Sequence, residues 1–348
     1  MNWEKHIINS TKSIKESMIC LDKLGSDAII FVHDEQKKLL GSITDGDIRR
    51  GLLNGAILKD PVIKICNSQP EYVVYGEEYI MKLKEQREKN LKIVPIVTSN
   101  NEIVDIVNFR ISKSRLPVDV VLMAGGKGSR LLPLTENTPK PLLKLNGKPV
   151  LEINIDRLIS FGIKNVFISV NYLGEQIKEY LGDGKSKGIN IKYINEIKPL
   201  GTIGSLNLID DFENDHLLIM NSDLLTSIDF EDFFIDYINN NRQMSIVGIP
   251  YQVKIPYGIL ESKNKKLSAF KEKPTYTFYA NGGIYLLNKN NVKWIPKNSF
   301  FNATDLVEKM IEMNLDVRTF QLLDYWMDIG NHSDYKKAQT DIKKMKFE

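Results

Sequence analysis

The run Val118-Asp-Val-Val-Leu-Met-Ala-Gly-Gly-Lys-Gly-Ser-Arg130 sets the architecture of most of the chain. Its first seven residues, Val118 to Ala124, form an almost continuous apolar strand, the composition expected of a strand buried on both faces. Gly125, Gly126 and Gly128 follow at once, and bare backbone N–H groups at a strand's carboxyl end can approach phosphate oxygens closely. Downstream the pattern alternates. Val150 to Phe161 has a helical period closed by Gly162, and Glu175 to Leu181 is helical; Asn165 to Asn171, Ile191 to Asn195 and Leu217 to Asn221 read as strands. Such alternation predicts an α/β fold, a mainly parallel mixed sheet with helices on both faces. Ligands in such folds gather beyond the carboxyl ends of the strands. Ser245 to Pro250, Leu267 to Phe270 and Gly282 to Leu287 read as a mixed extension of that sheet.

The glycines alone are weak evidence, and a plain glycine turn stays open. The segment is not G-x-x-x-x-G-K-[ST]; the dinucleotide fingerprint also fails, because its third glycine is missing and Leu145 is not acidic. The cations and prolines beyond the glycines are more informative. Arg130 and Lys140 put two permanent cations in one loop, and Pro133, Pro139 and Pro141 restrict the backbone between them. Such a loop can hold charge against a polyphosphate. Leu217-Leu-Ile-Met-Asn-Ser-Asp223 is an apolar run that ends in a carboxylate. A lone strand-terminal Asp of this kind reads as a turn or helix cap.

The seventeen-residue string G-G-x-G-x-R-L-x-P-L-T-x-x-x-P-K-P, Gly125 to Pro141, resembles the signature of the sugar-1-phosphate nucleotidyltransferases, the nucleoside-diphosphate-sugar pyrophosphorylases, whose fold is Rossmann-like and GT-A-like. The resemblance implies catalytic roles for Arg130 and Lys140, nucleotide contacts from Leu122, Ala124, Gly125, Gly126 and Gly128, and Mg2+ on Asp223 and Asp328. Glu196-Ile-Lys-Pro-Leu-Gly-Thr-Ile-Gly resembles the family's base-facing segment, implying Glu196, Gly201 and Thr202; Ile203 replaces a usual Ala. Lys271-Glu-Lys-Pro, Tyr257-Gly258 and Ala280-Asn-Gly-Gly resemble sugar-side segments, implying Gly258, Glu272, Lys273 and Asn281. Without the resemblance, Glu272 and Lys273 read as part of an exposed ion-paired strand.

The implied reaction is attack by a sugar 1-phosphate on the α-phosphorus of a nucleoside triphosphate, releasing pyrophosphate. The nucleophile is already an anion, so none of the four histidines needs a role. A guanine edge offers two adjacent donors that one carboxylate accepts together, whereas uracil and thymine offer one donor between two acceptors. Glu196 therefore favours GTP.

The first third of the chain repeats with a shift of 64 residues: Ile30 meets Val94, Val32 meets Ile96, Leu40 meets Val104 and Ile43 meets Val107. Each copy reads as strand, polar turn and strand, preceded by a helix-like segment, Ile14 to Leu24 or Glu77 to Glu88. Gly41-Ser-Ile-Thr-Asp-Gly-Asp-Ile-Arg-Arg resembles the first half of a tandem CBS domain pair, a small α+β unit. There Thr44 and Asp47 would hold an adenine nucleotide; the second copy has Asn108 and Ile111 instead, so one site is expected. The same two residues read otherwise as caps of a helix starting near Ile48. A break at Ile111-Ser-Lys-Ser-Arg-Leu-Pro divides the chain into residues 1–113 and 117–348. CBS pairs commonly pack as homodimers.

A CBS pair joined to a transferase domain resembles the glucosamine-1-phosphate guanylyltransferases of the bacterial legionaminic-acid pathway, implying glucosamine 1-phosphate as acceptor for nonulosonate surface glycans. Alternatives are mannose 1-phosphate or another hexose or heptose 1-phosphate, UTP, CTP or dTTP as donor, and a non-catalytic nucleotide-sensing regulator.

At 348 residues the chain has room for about two to three domains. Lys and Arg total 47 against 44 for Asp and Glu, without blocks, which argues against nucleic acid as a partner. Cys20 and Cys66 lack metal-ligand spacing and are expected to be buried structural thiols. There is no apolar signal core and no run of about eighteen apolar residues, so a cytoplasmic protein without a membrane anchor is expected.

Overall fold

The 64-residue repeat reappears as one pairing scheme written twice. A computed structural model describes residues 3–76, 78–240 and 242–345. Two compact units divide it: Met1–Leu116 with Ser160–Gly162, and Pro117–Ile159 with Ile163–Glu348. The first contains β1 (Ile7–Asn9), α1 (Ile14–Leu24), β2 (Ile30–His33), β3 (Leu39–Ile43), α2 (Asp45–Leu53), β4 (Val73–Val74), α3 (Tyr79–Glu88), β5 (Ile93–Val97) and β6 (Ile103–Asn108). Ile30 pairs with Ile43 and Val94 with Val107, both antiparallel, and the register slips at equivalent places, after Val32 and after Ile96. Each hairpin accepts a short parallel strand, β1 on β2 and β4 on β5. The α3 helix begins at Tyr79, and Glu77 lies outside the described residues.

Helix α2 starts at Asp45, three residues before the expected Ile48, because Thr44 and Asp47 form a reciprocal capping box. The Asp47 carboxylate accepts from the Thr44 N–H at 2.8 Å and from its hydroxyl at 2.7 Å. The second copy has no helix at the equivalent place, only a turn after Asn108. Cys20 and Cys66 are free and only half-buried, which corrects the expectation of buried thiols; both pack at the edge of this unit's apolar core.

The second unit contains β7 (Val118–Met123), β8 (Lys144–Leu145), β9 (Lys148–Pro149), α4 (Val150–Ser160), β10 (Asn165–Val170), α5 (Gly174–Leu181), β11 (Asn190–Asn195), β12 (His216–Asn221), β13 (Leu224–Thr226) and α6 (Phe230–Asn239). It continues with β14 (Met244–Lys254), β15 (Ile259–Lys263), β16 (Lys266–Lys271), β17 (Thr275–Asn288), α7 (Ala303–Glu312), β18 (Val317–Gln321), β19 (Trp326–Asp328) and α8 (His332–Asp341). The central sheet runs β11-β10-β7-β12-β17-β14-β18, with β17 alone reversed. That is the mainly parallel sheet the alternation predicts. Continuous apolar runs are buried on both faces, as Leu217 to Met220 are.

Leu267 to Phe270 do not extend this sheet. They lie in β16, which pairs only with β15 in a separate hairpin. Leu267 and Phe270 are exposed there, so cross-strand pairing rather than burial holds them. A second core joins Leu131, Leu143 and Leu145 of the glycine-loop segment to Val150 and Ile153 of α4, and to Leu225, Met327 and Ile329 of the β13–β19 ribbon. One apolar cluster thus fixes the cationic loop against the β13–β19 ribbon, which begins beside Asp223 and carries Asp328. Among the described residues, no helix is long and apolar enough to cross a membrane.

Candidate active site

The parallel register lines up the site before any side chain is considered. Ile194, Ser169, Met123 and Asn221 pair in one row across β11, β10, β7 and β12. Two residues further along each strand stand Glu196, Asn171, Gly125 and Asp223. All four therefore leave the sheet at its carboxyl edge, where side chains and loops converge on a ligand.

From β7 the glycine loop turns through Gly128, whose φ of +64° favours glycine. Its carbonyl accepts the hydroxyl of the fully buried Thr135 at 2.8 Å. Tyr172 donates to the Glu136 carbonyl at 2.9 Å and Gln176 to that of Asn137 at 3.1 Å, tying the loop to the start of α5. Leu122 and Ala124 are buried, whereas Gly126 and Arg130 are exposed.

Lys140 lies between the two carboxylates. Its ammonium donates to Asp223 Oδ2 and stands 3.8 Å from Asp328 Oδ1. The ribbon of β13 and β19 makes this possible: Leu224 pairs with Asp328, and the Ile329 N–H donates to the Asp223 carbonyl at 3.1 Å. The Asp328 carboxyl is pushed above its ordinary range, first by burial and then by Asp223, while Lys140 and Arg130 pull it back. A side chain at Gly330 would stand among Asp328, Asp334 and a guanidinium nitrogen of Arg130, so these charges share one space. Asp328 Oδ1 is buried and takes no hydrogen bond. A buried oxygen without a hydrogen-bond donor, beside a second carboxylate, fits a hard divalent cation.

A different trio, Asp229, Glu231 and Asp232, brings its carboxylates within 4.8 Å of one another. Asp229 is the cap of α6, accepting from the Glu231 and Asp232 N–H groups at 2.9 and 3.1 Å, which accounts for this cluster.

The Glu196 carboxylate faces Gly125, where an added Cβ would stand 3.1 Å from Oε1. Ser169 donates to Oε1 at 2.5 Å and the Leu200 N–H to Oε2 at 3.0 Å, so each oxygen is oriented and keeps a further lone pair. Beside it opens a cleft of about 390 Å³ lined by Asn171, Leu173, Gln176, Asn195 and Glu196. Gly201 and Thr202 meet the start of α7 instead: the Thr202 hydroxyl accepts from the Ala303 N–H at 2.7 Å, and its own N–H donates to Asn302 at 3.2 Å.

The residues expected on the sugar side form two groups. Gly258 packs against Phe270 and the Glu272 carboxylate at the base of the β15–β16 hairpin; Glu272 and Lys273, 4.0 Å apart, are both exposed. Asn281 stands at the carboxyl edge of the central sheet and accepts from the Gly283 N–H at 2.9 Å. Trp326 links this segment to the β13–β19 ribbon by donating to the Gly282 carbonyl at 2.9 Å. Sequence reasoning missed Ser169, Asn171 and Asp334. Ser169 left one signal, a fully buried polar residue inside the apolar strand β10.

Known proteins share much of this chain's sequence and fold. The chain is 30% identical over 236 residues to a mannose-1-phosphate guanylyltransferase of Mycobacterium tuberculosis, covering 65% of this chain and 64% of that one. It is 27% identical to a UTP–glucose-1-phosphate uridylyltransferase of Synechocystis, covering 63% and 61%. This chain therefore spans less than two thirds of the length of the curated relatives it matches. The crystal structure of HddC from Yersinia pseudotuberculosis superposes with a TM-score of 0.52 at 25% identity, over 65% of this chain and 99% of that one. The loop, the carboxylate pair and all of the central sheet but its first residue, Val118, lie within residues 119–345, which match the family model described as Nucleotidyl transferase, and the chain belongs to that family.

Proposed function

We propose that the protein transfers a nucleoside monophosphate from GTP to a sugar 1-phosphate, giving a GDP-sugar and pyrophosphate. The observation that carries this reading is Lys140 held between Asp223 and Asp328 beside the glycine loop. A phosphate oxygen of the sugar attacks the α-phosphorus, and the bond to the β-phosphate breaks. A phosphate monoester has its second pKa near about 6, so the nucleophile is anionic at neutral pH and needs no base. The remaining task is positioning and neutralising two polyanions. Arg130 faces the leaving β- and γ-phosphates. Lys140 moves from the carboxylates to the α-phosphate and the incoming phosphate. Asp223 and Asp328 would hold Mg2+, which would supply charge neutralisation at the α-phosphate.

GTP is preferred because the oriented Glu196 carboxylate matches the two adjacent donors of guanine. Pyrophosphate release is measured with GTP, UTP, CTP and dTTP at equal concentration; strong preference for UTP overturns the assignment of Glu196. Glu196→Gln is expected to lower kcat/KM for GTP about 10- to 100-fold, the worth of a charged hydrogen bond. The acceptor proposed is glucosamine 1-phosphate for nonulosonate assembly, carried by sequence resemblance alone. The M. tuberculosis relative is named for mannose 1-phosphate, so both sugars enter the assay.

For the amino-terminal unit we propose a CBS-type role with one adenine-nucleotide site at Thr44 and Asp47. Both residues already cap α2, so binding must break or share that box. Titrating AMP and ATP into the full chain tests this, and an absence of binding leaves the capping role alone.

A further inference from the structure

Asn154 is the one polar residue on the buried stripe of α4, among Val150, Leu151, Ile153, Ile155 and Leu158. It is 2% exposed. A helix has no use for a buried Asn of its own, since its amide competes with the backbone and must find partners. Here the side-chain amide donates to the Leu224 carbonyl at 2.9 Å and reaches the Ser222 carbonyl at 3.4 Å. Those are the residues on either side of Asp223.

Asp223 lies in the two-residue step between β12 and β13, which no sheet ladder fixes. The Ser222 hydroxyl donates to the Met123 carbonyl at 2.7 Å, and the Ile329 N–H donates to the Asp223 carbonyl at 3.1 Å. Asn154 holds the same step from the helix side. We propose that Asn154 is a positioning residue for the metal-binding carboxylate: by bracketing Asp223 through its two neighbours' carbonyls, it fixes the direction in which that carboxylate points. Asn154 touches neither phosphate nor cation and acts through Asp223. The inference rests on the reading of Asp223 as a metal-holding residue.

The test is Mn2+ affinity of the full-length protein without substrates, followed by the electron paramagnetic resonance signal of free Mn2+. Asn154→Ala is expected to weaken Mn2+ binding about 10- to 100-fold, as loss of a partner that orients a ligand does. Asn154→Ser, which keeps a short polar side chain, takes its place if the alanine variant does not fold. Asn165→Ala is the control for a purely structural effect. Asn165 is also buried and donates to Asp119 at 3.2 Å, but it stands at the amino end of β10, away from the carboxyl edge. It should lower the unfolding midpoint and leave Mn2+ affinity unchanged. Unaltered affinity in the Asn154 variants, or an equal loss in Asn165→Ala, overturns the positioning role provided Asp223→Asn loses the metal. Wild-type affinity in Asp223→Asn instead removes the metal assignment and this inference with it.

Discussion

Replacing Lys140 with alanine is expected to lower turnover by about 10²- to 10³-fold, the cost of deleting one preorganised charge at the reacting centre. The Lys140 side chain is only 12% exposed and its ammonium pairs with both Asp223 and Asp328, so its loss also removes one of the two charges that restrain the Asp328 carboxyl. Asp328 should then titrate higher still, and added Mg2+ should recover little of the rate, because Lys140 no longer competes for the carboxylates and the lost charge is the one that acts on the phosphates. Leu131, Leu143 and Leu145 still anchor the loop, so far-ultraviolet circular dichroism should not change. Steady-state pyrophosphate release and dichroism of one preparation measure both. Near-normal turnover in a folded Lys140→Ala protein removes Lys140 from the chemistry.

Asp223→Asn keeps the shape of the side chain and removes its charge. Turnover is expected to fall by at least the same about 10²-fold, because one oxygen ligand loses its charge while Lys140 loses its hydrogen-bonded partner. Asp328 remains 3.8 Å from the ammonium, so the loop keeps a counter-charge and the fold should hold. Raising Mg2+ should restore part of the rate in Asp223→Asn and much less in Lys140→Ala. A variant that retains wild-type turnover at low Mg2+ places the metal elsewhere.

The sheet was legible because burial on both faces writes itself into β7, β10 and β12 as nearly continuous apolar runs. The duplicated hairpins were legible because Ile30 and Val94 repeat a pairing partner as well as a residue type. Leu267 to Phe270 misled because an exposed hairpin can be as apolar as a core strand, and nothing local distinguishes them. At the site, Arg130 and Lys140 stood out because two permanent cations share one proline-restricted loop, and Asp223 and Asp328 because they follow that loop in the order the family resemblance implies. Asn154 and Ser169 did not, since each is defined by a partner distant in sequence: Asn154 bonds to Leu224 and Ser169 to Glu196. A buried polar residue announces that a partner exists and not which one.

The most direct test of the central claim is to trace the label of GTP in a reaction with a sugar 1-phosphate. With the label on the α-phosphate, all of it should enter the sugar nucleotide; with the label on the γ-phosphate, all of it should leave as pyrophosphate. Appearance of the γ-label in inorganic phosphate or in a phosphorylated sugar, with GDP as the other product, would contradict nucleotidyl transfer.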